Sequence, residues 1–404
     1  MYIREELLWL ISRHNPSRAV ATRGHERIGV SSVKRVFLSM FLALCSTGHV
    51  EASDGWRTGT PAGQGLDADT IAECLARIRD GEYRNLHSFL IARRGILVLE
   101  EYFAGTDGWR GHVVFDKDKL HDTRSVSKSV TSALVGIAID KGFIDSVDAP
   151  MHQFLPDHAA HITEEKKQIT LRHLLTMTSG FRWDQSGAHQ SEPGSPNSEA
   201  QMENSDDFIG YVLSSDMSDE PGRRFNYNSG CAILLAGVIK KVSGLHADAF
   251  ANEHLFGPLG IRRSDWWRTK TGLPQTHAGL RLRPRDLAKI GQLYLDRGVW
   301  NGVEVLPAEW IEESVRPQFG NERYGFGWWL DRFRVAGHPV KTFVAEGNGG
   351  QFLFVIPDVE MVIVFTGGNY GSAVANQVFR IVTRHVLPAV MDHPSESRGE
   401  ADGE

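Results

Sequence analysis

The stretch Arg124-Ser125-Val126-Ser127-Lys128 sets a hydroxyl and an amine three residues apart. At the start of a helix, that spacing brings both side chains to one side. A serine hydroxyl is a weak nucleophile until a neighbour takes its proton, and a close lysine can take it or help another base do so. A helix N-terminus also offers free backbone N–H groups where an oxyanion would develop. A second candidate is Tyr227, held in the turn Phe225-Asn226-Tyr227-Asn228-Ser229-Gly230 ahead of an apolar run. Its phenol can serve as a base if the Lys128 cation lowers its pKa. The third piece, Glu346-Gly347-Asn348-Gly349-Gly350-Gln351, sets glycines inside a β-rich region. Such glycines mark a bulge or a close approach to the backbone, as an oxyanion hole requires; a plain hairpin turn is the competing account.

The elements around these residues follow from periodicity. Val126, Val130, Ala133, Leu134, Ile137 and Ala138 recur at three and four, which predicts a buried helix behind Ser125. Asp122 or Thr123 would cap it, and Lys141-Gly142 would close it. Further helices are predicted over 69–80, 170–175, 230–242, 285–295, 307–315 and 373–390. Strands are predicted over 88–92 and 96–103, as a hairpin around Arg93-Arg94-Gly95, and over 324–330, 340–346, 350–356 and 361–366. Strands at both ends with helices between them imply an α/β (α+β sandwich) fold. Its antiparallel sheet would be built from both chain ends and flanked by helices, with a mostly helical lobe inserted at about 144–300. The polar segment 186–206 reads as a mobile cover near the cleft.

Composition narrows the function classes. The chain has 404 residues, 41% of them hydrophobic and 23% charged, as in a soluble globular protein. A net charge of −6 without a long basic block gives no reason to expect a nucleic-acid partner. Cys45, Cys74 and Cys231 show neither metal-ligand spacing nor a disulfide framework. His158 and His161 lack a matching set of further ligands, so no metal and no cofactor are expected. Lys34-Arg35 precede the apolar run Val36 to Leu44, too short for a stable membrane span and the right size for a signal-peptide core. The expected organisation is an extension and signal peptide over 1–52, one domain over 53–391 and a disordered acidic tail over 392–404. Export to the periplasm or medium follows from the signal; a cytoplasmic location is the alternative. The oligomeric state is not legible.

Taken together, Ser125-x-x-Lys128, Tyr227-x-Ser229 and Asn348-Gly349-Gly350 resemble the superfamily of class C β-lactamases, penicillin-binding proteins and related esterases. His121-Asp122-Thr123-Arg124, Leu174-Leu175-Thr176-Met177-Thr178-Ser179-Gly180 and Arg285-Asp286-Leu287-Ala288 also look like family landmarks, so the resemblance runs from about 66 to 390. It implies Ser125 as the acylated nucleophile, Lys128 as its partner in proton transfer and Tyr227 as general base. It also implies an oxyanion hole from the backbone N–H groups of Ser125 and Gln351. Ser229, Asn348, Gly349 and Gly350 would contact substrate, and Trp183-Asp184 would form a cleft wall or anchor a loop. Two departures bear on specificity. The family's usual Lys-Thr-Gly is replaced by Asn348-Gly349-Gly350, without a cation, and its usual asparagine by Ser229. Both favour the branch of esterases and amidases such as 6-aminohexanoate-dimer hydrolases, acting on a small ester or amide. A β-lactamase or D-Ala-D-Ala peptidase is the alternative, and a non-catalytic binding or sensor homologue the alternative of another class.

Overall fold

Strands from the two ends of the chain lie side by side in one seven-stranded sheet. The computed structural model describes residues 55–108, 110–185, 195–335 and 337–391. The 1–52 segment with its signal peptide, positions 186–194 of the expected cover and the 392–404 tail lie outside the described residues. The strands are β1 (Arg57–Thr58), β2 (Leu86–Arg93), β3 (Ile96–Tyr102), β4 (Trp329–Val335), β5 (His338–Gly347), β6 (Gln351–Ile356) and β7 (Met361–Gly367). Their spatial order is β1-β3-β2-β7-β6-β5-β4. Every neighbouring pair is antiparallel except β1 with β3. The N-terminal hairpin therefore joins the C-terminal meander where β2 pairs with β7, Leu90 opposite Val364.

Both faces of this sheet are covered. Leu90, Ala92, Leu353, Val355, Val362 and Val364 belong to one core, and their alternate neighbours Phe89, Ile91, Phe352, Phe354, Ile363 and Phe365 to the other. Period-two side chains buried on both sides give the nearly unbroken apolar strands of the sequence. Helix α1 (Ala68–Arg79) and the C-terminal helical segments cover the second face. Against the first lie α2 (Ser127–Asp140) and α6 (Pro284–Leu295). Gly291 of α6 permits that packing, because a Cβ there would stand 2.6 Å from Leu353 and from Val362. The helical lobe thus gives way to the sheet layer before residue 300. Between α2 and α6 lie α3 (Leu171–Leu175), α4 (Ser198–Asn204) and α5 (Ser229–Ser243). Among the described residues, no single helix is long and apolar enough to cross a membrane.

Several expectations change. The strand expected from Tyr324 begins at Trp329, since the chain turns back on itself at a Tyr324–Trp329 bridge. The closing helix is broken into Ala373–Asn376, Gln377–Ile381 and Val382–Val386 segments. The expected cover holds α4, capped by Asn197 and anchored by buried Ala200 and Met202. Two apolar side chains four or fewer residues apart suffice to seat a short helix that composition reads as loop.

Candidate active site

Ser125 sits in a 3-10 turn, Arg124–Val126, that runs directly into α2. Arg124 has φ +51°, a left-handed conformation rare outside glycine, and it swings Ser125 to the rim of the helix. The expected caps serve otherwise: Thr123 Oγ1 donates to the Leu280 carbonyl at 2.8 Å, and α2 has no side-chain cap. Helix α2 is buried along almost its whole length, including Lys128. Lys128 Nζ donates to Ser125 Oγ at 3.0 Å and to the His277 carbonyl at 2.9 Å. Burial is the chief force on its pKa and brings it down to about 8, with Arg124 pulling the same way and the Glu199 and Glu203 carboxylates opposing.

Tyr227 is held by its neighbours on both flanks. Asn228 caps α5 by accepting from the Gly230 N–H at 2.7 Å, and Asn226 Nδ2 donates to the Trp183 carbonyl at 2.9 Å. The Tyr227 ring stacks on Trp329 at 5.6 Å, and Lys128 Nζ lies 5.0 Å from its centroid. The expected lowering of its pKa is not found. Burial pushes the phenol well above 10, opposed by a hydrogen bond with Ser125 and reinforced by Glu199 and Glu346. At neutral pH this tyrosine is a phenol, and the amine is the better base.

The sheet meets the nucleophile at Gly347, the last residue of β5. A Cβ there would strike the Thr123 carbonyl and stand 3.2 Å from Arg124 Cβ. The peptide entering Asn348 therefore lies against the serine segment. Gln351, the expected oxyanion donor, opens β6 across from Gly347. Its side chain is bound to Gly367, with Nε2 donating to that carbonyl at 2.7 Å and Oε1 accepting from the N–H at 3.2 Å. Asn348 Oδ1 accepts from the Gly371 N–H at 2.8 Å, so its amide shapes the hairpin. Gly349 and Gly350, at φ +96° and +103°, complete the three-residue turn. The contact with the serine segment thus lies at the upstream end of the hairpin, at Gly347, with Gln351 on the facing strand.

Behind Tyr227 lies a polar network only partly foreseen. Ser229 Oγ donates to Glu199 at 2.7 Å, and Gln185 Nε2 donates to both Ser229 Oγ and Glu199 at 2.9 Å. Trp183 Nε1 donates to Gln185 Oε1 at 2.9 Å, so the buried Trp183 braces this network. Exposed Asp184 clasps α4 through its backbone, the Ser198 N–H donating to its carbonyl at 2.7 Å. The fully buried His277 ring meets Glu203 at 3.0 Å. Ligand atoms of Glu199, Glu203 and His277 lie within 4.8 Å of one another, a set with cation-binding chemistry that already bonds within itself. Gln185, Glu199, Glu203 and His277 escaped the sequence reading; the only signal was Glu199 and Glu203 one helical turn apart. His158 bonds Asp207 at 2.8 Å.

A buried amine on a serine hydroxyl, with a phenol beside both, is an arrangement whose chemistry suits acyl transfer. The β-lactamase family profile matches residues 83–377. A 6-aminohexanoate-dimer hydrolase of Paenarthrobacter ureafaciens is 24% identical over 327 residues, 76% of this chain and 78% of the relative. The fold matches a family VIII carboxylesterase with a TM-score of 0.60 at 17% identity, covering 81% of this chain and 99% of that one. It also matches a penicillin-binding protein of Bacillus halodurans with a TM-score of 0.59 at 18% identity, covering 76% and 98%.

Proposed function

The chain belongs to the β-lactamase family, and from that premise we propose that it is a serine hydrolase cleaving small esters or amides through an acyl-enzyme on Ser125. The observation that carries this reading is the 3.0 Å contact between the Lys128 amine and the Ser125 hydroxyl, with the amine buried to a pKa of about 8. Near pH 8 about half of such amines are neutral and able to accept a proton. Ser125 Oγ attacks the substrate carbonyl while Lys128 takes its proton. The resulting oxyanion is received by the N–H groups of Ser125 and Asn348, the latter in place of Gln351. Tyr227 gives its phenolic proton to the departing alkoxide or amine and regains one from the Lys128 ammonium. Water then enters by the same route in reverse, and the acid leaves.

The hydrolase name of the Paenarthrobacter relative and the carboxylesterase name of the structural neighbour support ester and amide substrates. The absence of lysine from Glu346-Gly347-Asn348-Gly349 leaves a penicillin carboxylate without a partner at the place where the family's Lys-Thr-Gly holds it, which supports esters and amides over β-lactams. A panel of p-nitrophenyl esters, linear amide dimers, a chromogenic cephalosporin and D-Ala-D-Ala peptides tests the assignment. Ester or amide-dimer hydrolysis is expected; efficient cephalosporin hydrolysis with no esterase activity would overturn it. Export is proposed on the apolar run Val36 to Leu44, and N-terminal sequencing of secreted protein tests it.

A further inference from the structure

Arg124, the residue immediately before the nucleophile, is 9% exposed, yet among the described residues its guanidinium has no hydrogen bond or ion pair. The guanidinium carbon lies 5.4 Å from the centre of the Trp267 ring, and that contact alone engages the charge. A side chain this little exposed is normally paired when charged, whereas the Arg124 nitrogens are not among the fully buried polar atoms and so stay reachable from solvent. The neighbouring arginines show the contrast. Arg281 Nε stands 2.9 Å from Asp122 and its Nη1 donates to Asp265 at 2.8 Å; Arg110 donates to Asp107 at 2.6 Å. Asp107 and Asp265 are hydrogen-bonded to other arginines, and Asp122 is ion-paired with Arg281 but has no hydrogen-bond partner for either oxygen.

A second donor without a partner lies beside the hairpin. The Tyr370 hydroxyl is buried and has no hydrogen-bond partner. Its ring packs against the substrate hairpin, where a Cβ on Gly349 would stand 2.5 Å away. Burial pushes the Tyr370 phenol upward, Asp122 and Asp107 add to that, and Arg124 and Arg110 oppose it.

We propose that Arg124, seated on Trp267 and assisted by the Tyr370 hydroxyl, is the specificity-determining anion subsite of this cleft and takes a carboxylate of the substrate. The family's lysine on the third motif is absent, and the charge enters instead from the residue beside Ser125. Guanidinium and carboxylate match as a planar two-bond pair, and the indole face holds the fork in place without neutralising it. The preferred substrates are small esters or amides that carry a carboxylate on the acyl or the leaving side. This inference rests on the serine-hydrolase reading, and its test separates the two.

Two substrate pairs report the acyl and leaving sides: mono-p-nitrophenyl glutarate against p-nitrophenyl butyrate, and 3-acetoxybenzoate against phenyl acetate. The wild-type chain should favour the anionic member of at least one pair. Arg124→Met should cut that preference about ten- to a hundredfold, mainly through KM, as loss of a charge-assisted bond predicts. Arg124→Lys should restore part of it, and Tyr370→Phe should reduce it less. Calorimetric binding of glutarate against glutaramide to the full-length Ser125→Ala chain gives a readout independent of turnover, and circular dichroism checks each fold. Hydrolysis of neutral esters with no anionic preference, or a preference and glutarate binding untouched in Arg124→Met, would overturn the subsite. No hydrolysis of any ester together with Arg124-dependent glutarate binding would instead overturn the hydrolase reading and leave the subsite standing.

Discussion

The two sides of the cleft differ in how fully their polar groups are satisfied. On the side of α2 and the Tyr227 turn, Lys128 has two acceptors, Asn228 caps a helix through its oxygen, and Ser229 shares a network with Gln185 and Glu199. Among the described residues, Asn228 Nδ2 and His277 Nδ1 are the buried atoms left without partners there. On the side of Arg124 and the β5–β6 hairpin, a guanidinium and the Tyr370 hydroxyl stand without hydrogen-bond partners among the described residues. The first arrangement fixes reacting groups before substrate arrives, which is what electrostatic preorganisation requires. The second leaves donors that substrate itself must satisfy, which is where discrimination between substrates arises. On the proposed reading, the reacting amine and phenol stand on the first side, and the donors that discriminate between substrates stand on the second beside the oxyanion donor Asn348.

The comparison breaks first at Lys128. Lys128→Ala should lower kcat/KM for any turned-over ester by about a thousandfold or more, as removal of a positioned base does. Steady-state kinetics on the best substrate of the panel measure it; a loss below tenfold would move the base elsewhere. Tyr227→Phe should cost about a hundredfold, with a larger loss for amides than for activated esters, because only the poorer leaving group needs the phenolic proton. Equal losses on both would remove Tyr227 from that step.

Gly347→Ala tests the junction between the walls. Its Cβ meets the Thr123 carbonyl, so the strand or the serine segment must shift, at about 1–3 kcal/mol of stability measured by denaturant unfolding. Activity should fall further than stability accounts for, since the serine and its oxyanion donors separate.

A smaller effect sharpens the electrostatics. Lys128 must be neutral to act, so kcat/KM should rise with pH and level off above about 8. Glu199 holds that pKa up, and Glu199→Gln should carry the rising limb to lower pH. A limb unmoved, or moved upward, would contradict the arrangement. Away from the cleft, His87 and His121 share a buried 2.8 Å contact, and burial brings the His87 pKa down to about 3. The folded state holds His87 neutral, whereas the unfolded chain takes up a proton near 6.5. Stability is therefore complete above about 6.5 and lost as pH falls toward 3, by a few kcal/mol in order of magnitude. The urea midpoint should drop over that range, and His87→Gln should flatten the drop.

What the sequence made legible follows from range. Ser125 with Lys128, and Tyr227 beside an N-capping Asn228, are local patterns whose geometry one helix turn dictates, and periodicity placed α2 and α5 within a few residues. The strands of the C-terminal meander were equally plain, because burial on both faces leaves them apolar throughout. Contacts between distant segments were not legible. His277 reaches Lys128 through a backbone carbonyl, Glu199 reaches Ser229 from a helix hidden in a polar stretch, and Gly347 rather than Gln351 meets the serine segment. Arg124 was quoted only as a landmark, since no sequence pattern tells a paired arginine from an unpaired one. The direction of the Tyr227 shift was misread for a related reason: proximity of a cation was visible in sequence, and the depth of burial was not.

The most direct test of the central claim is covalent labelling of the full chain by a fluorophosphonate, followed by peptide mass spectrometry. One adduct on the peptide containing Ser125 is expected, forming at least a hundredfold more slowly in Lys128→Ala. An adduct on another residue, or an undiminished rate in Lys128→Ala, would contradict a nucleophile at Ser125 activated by Lys128.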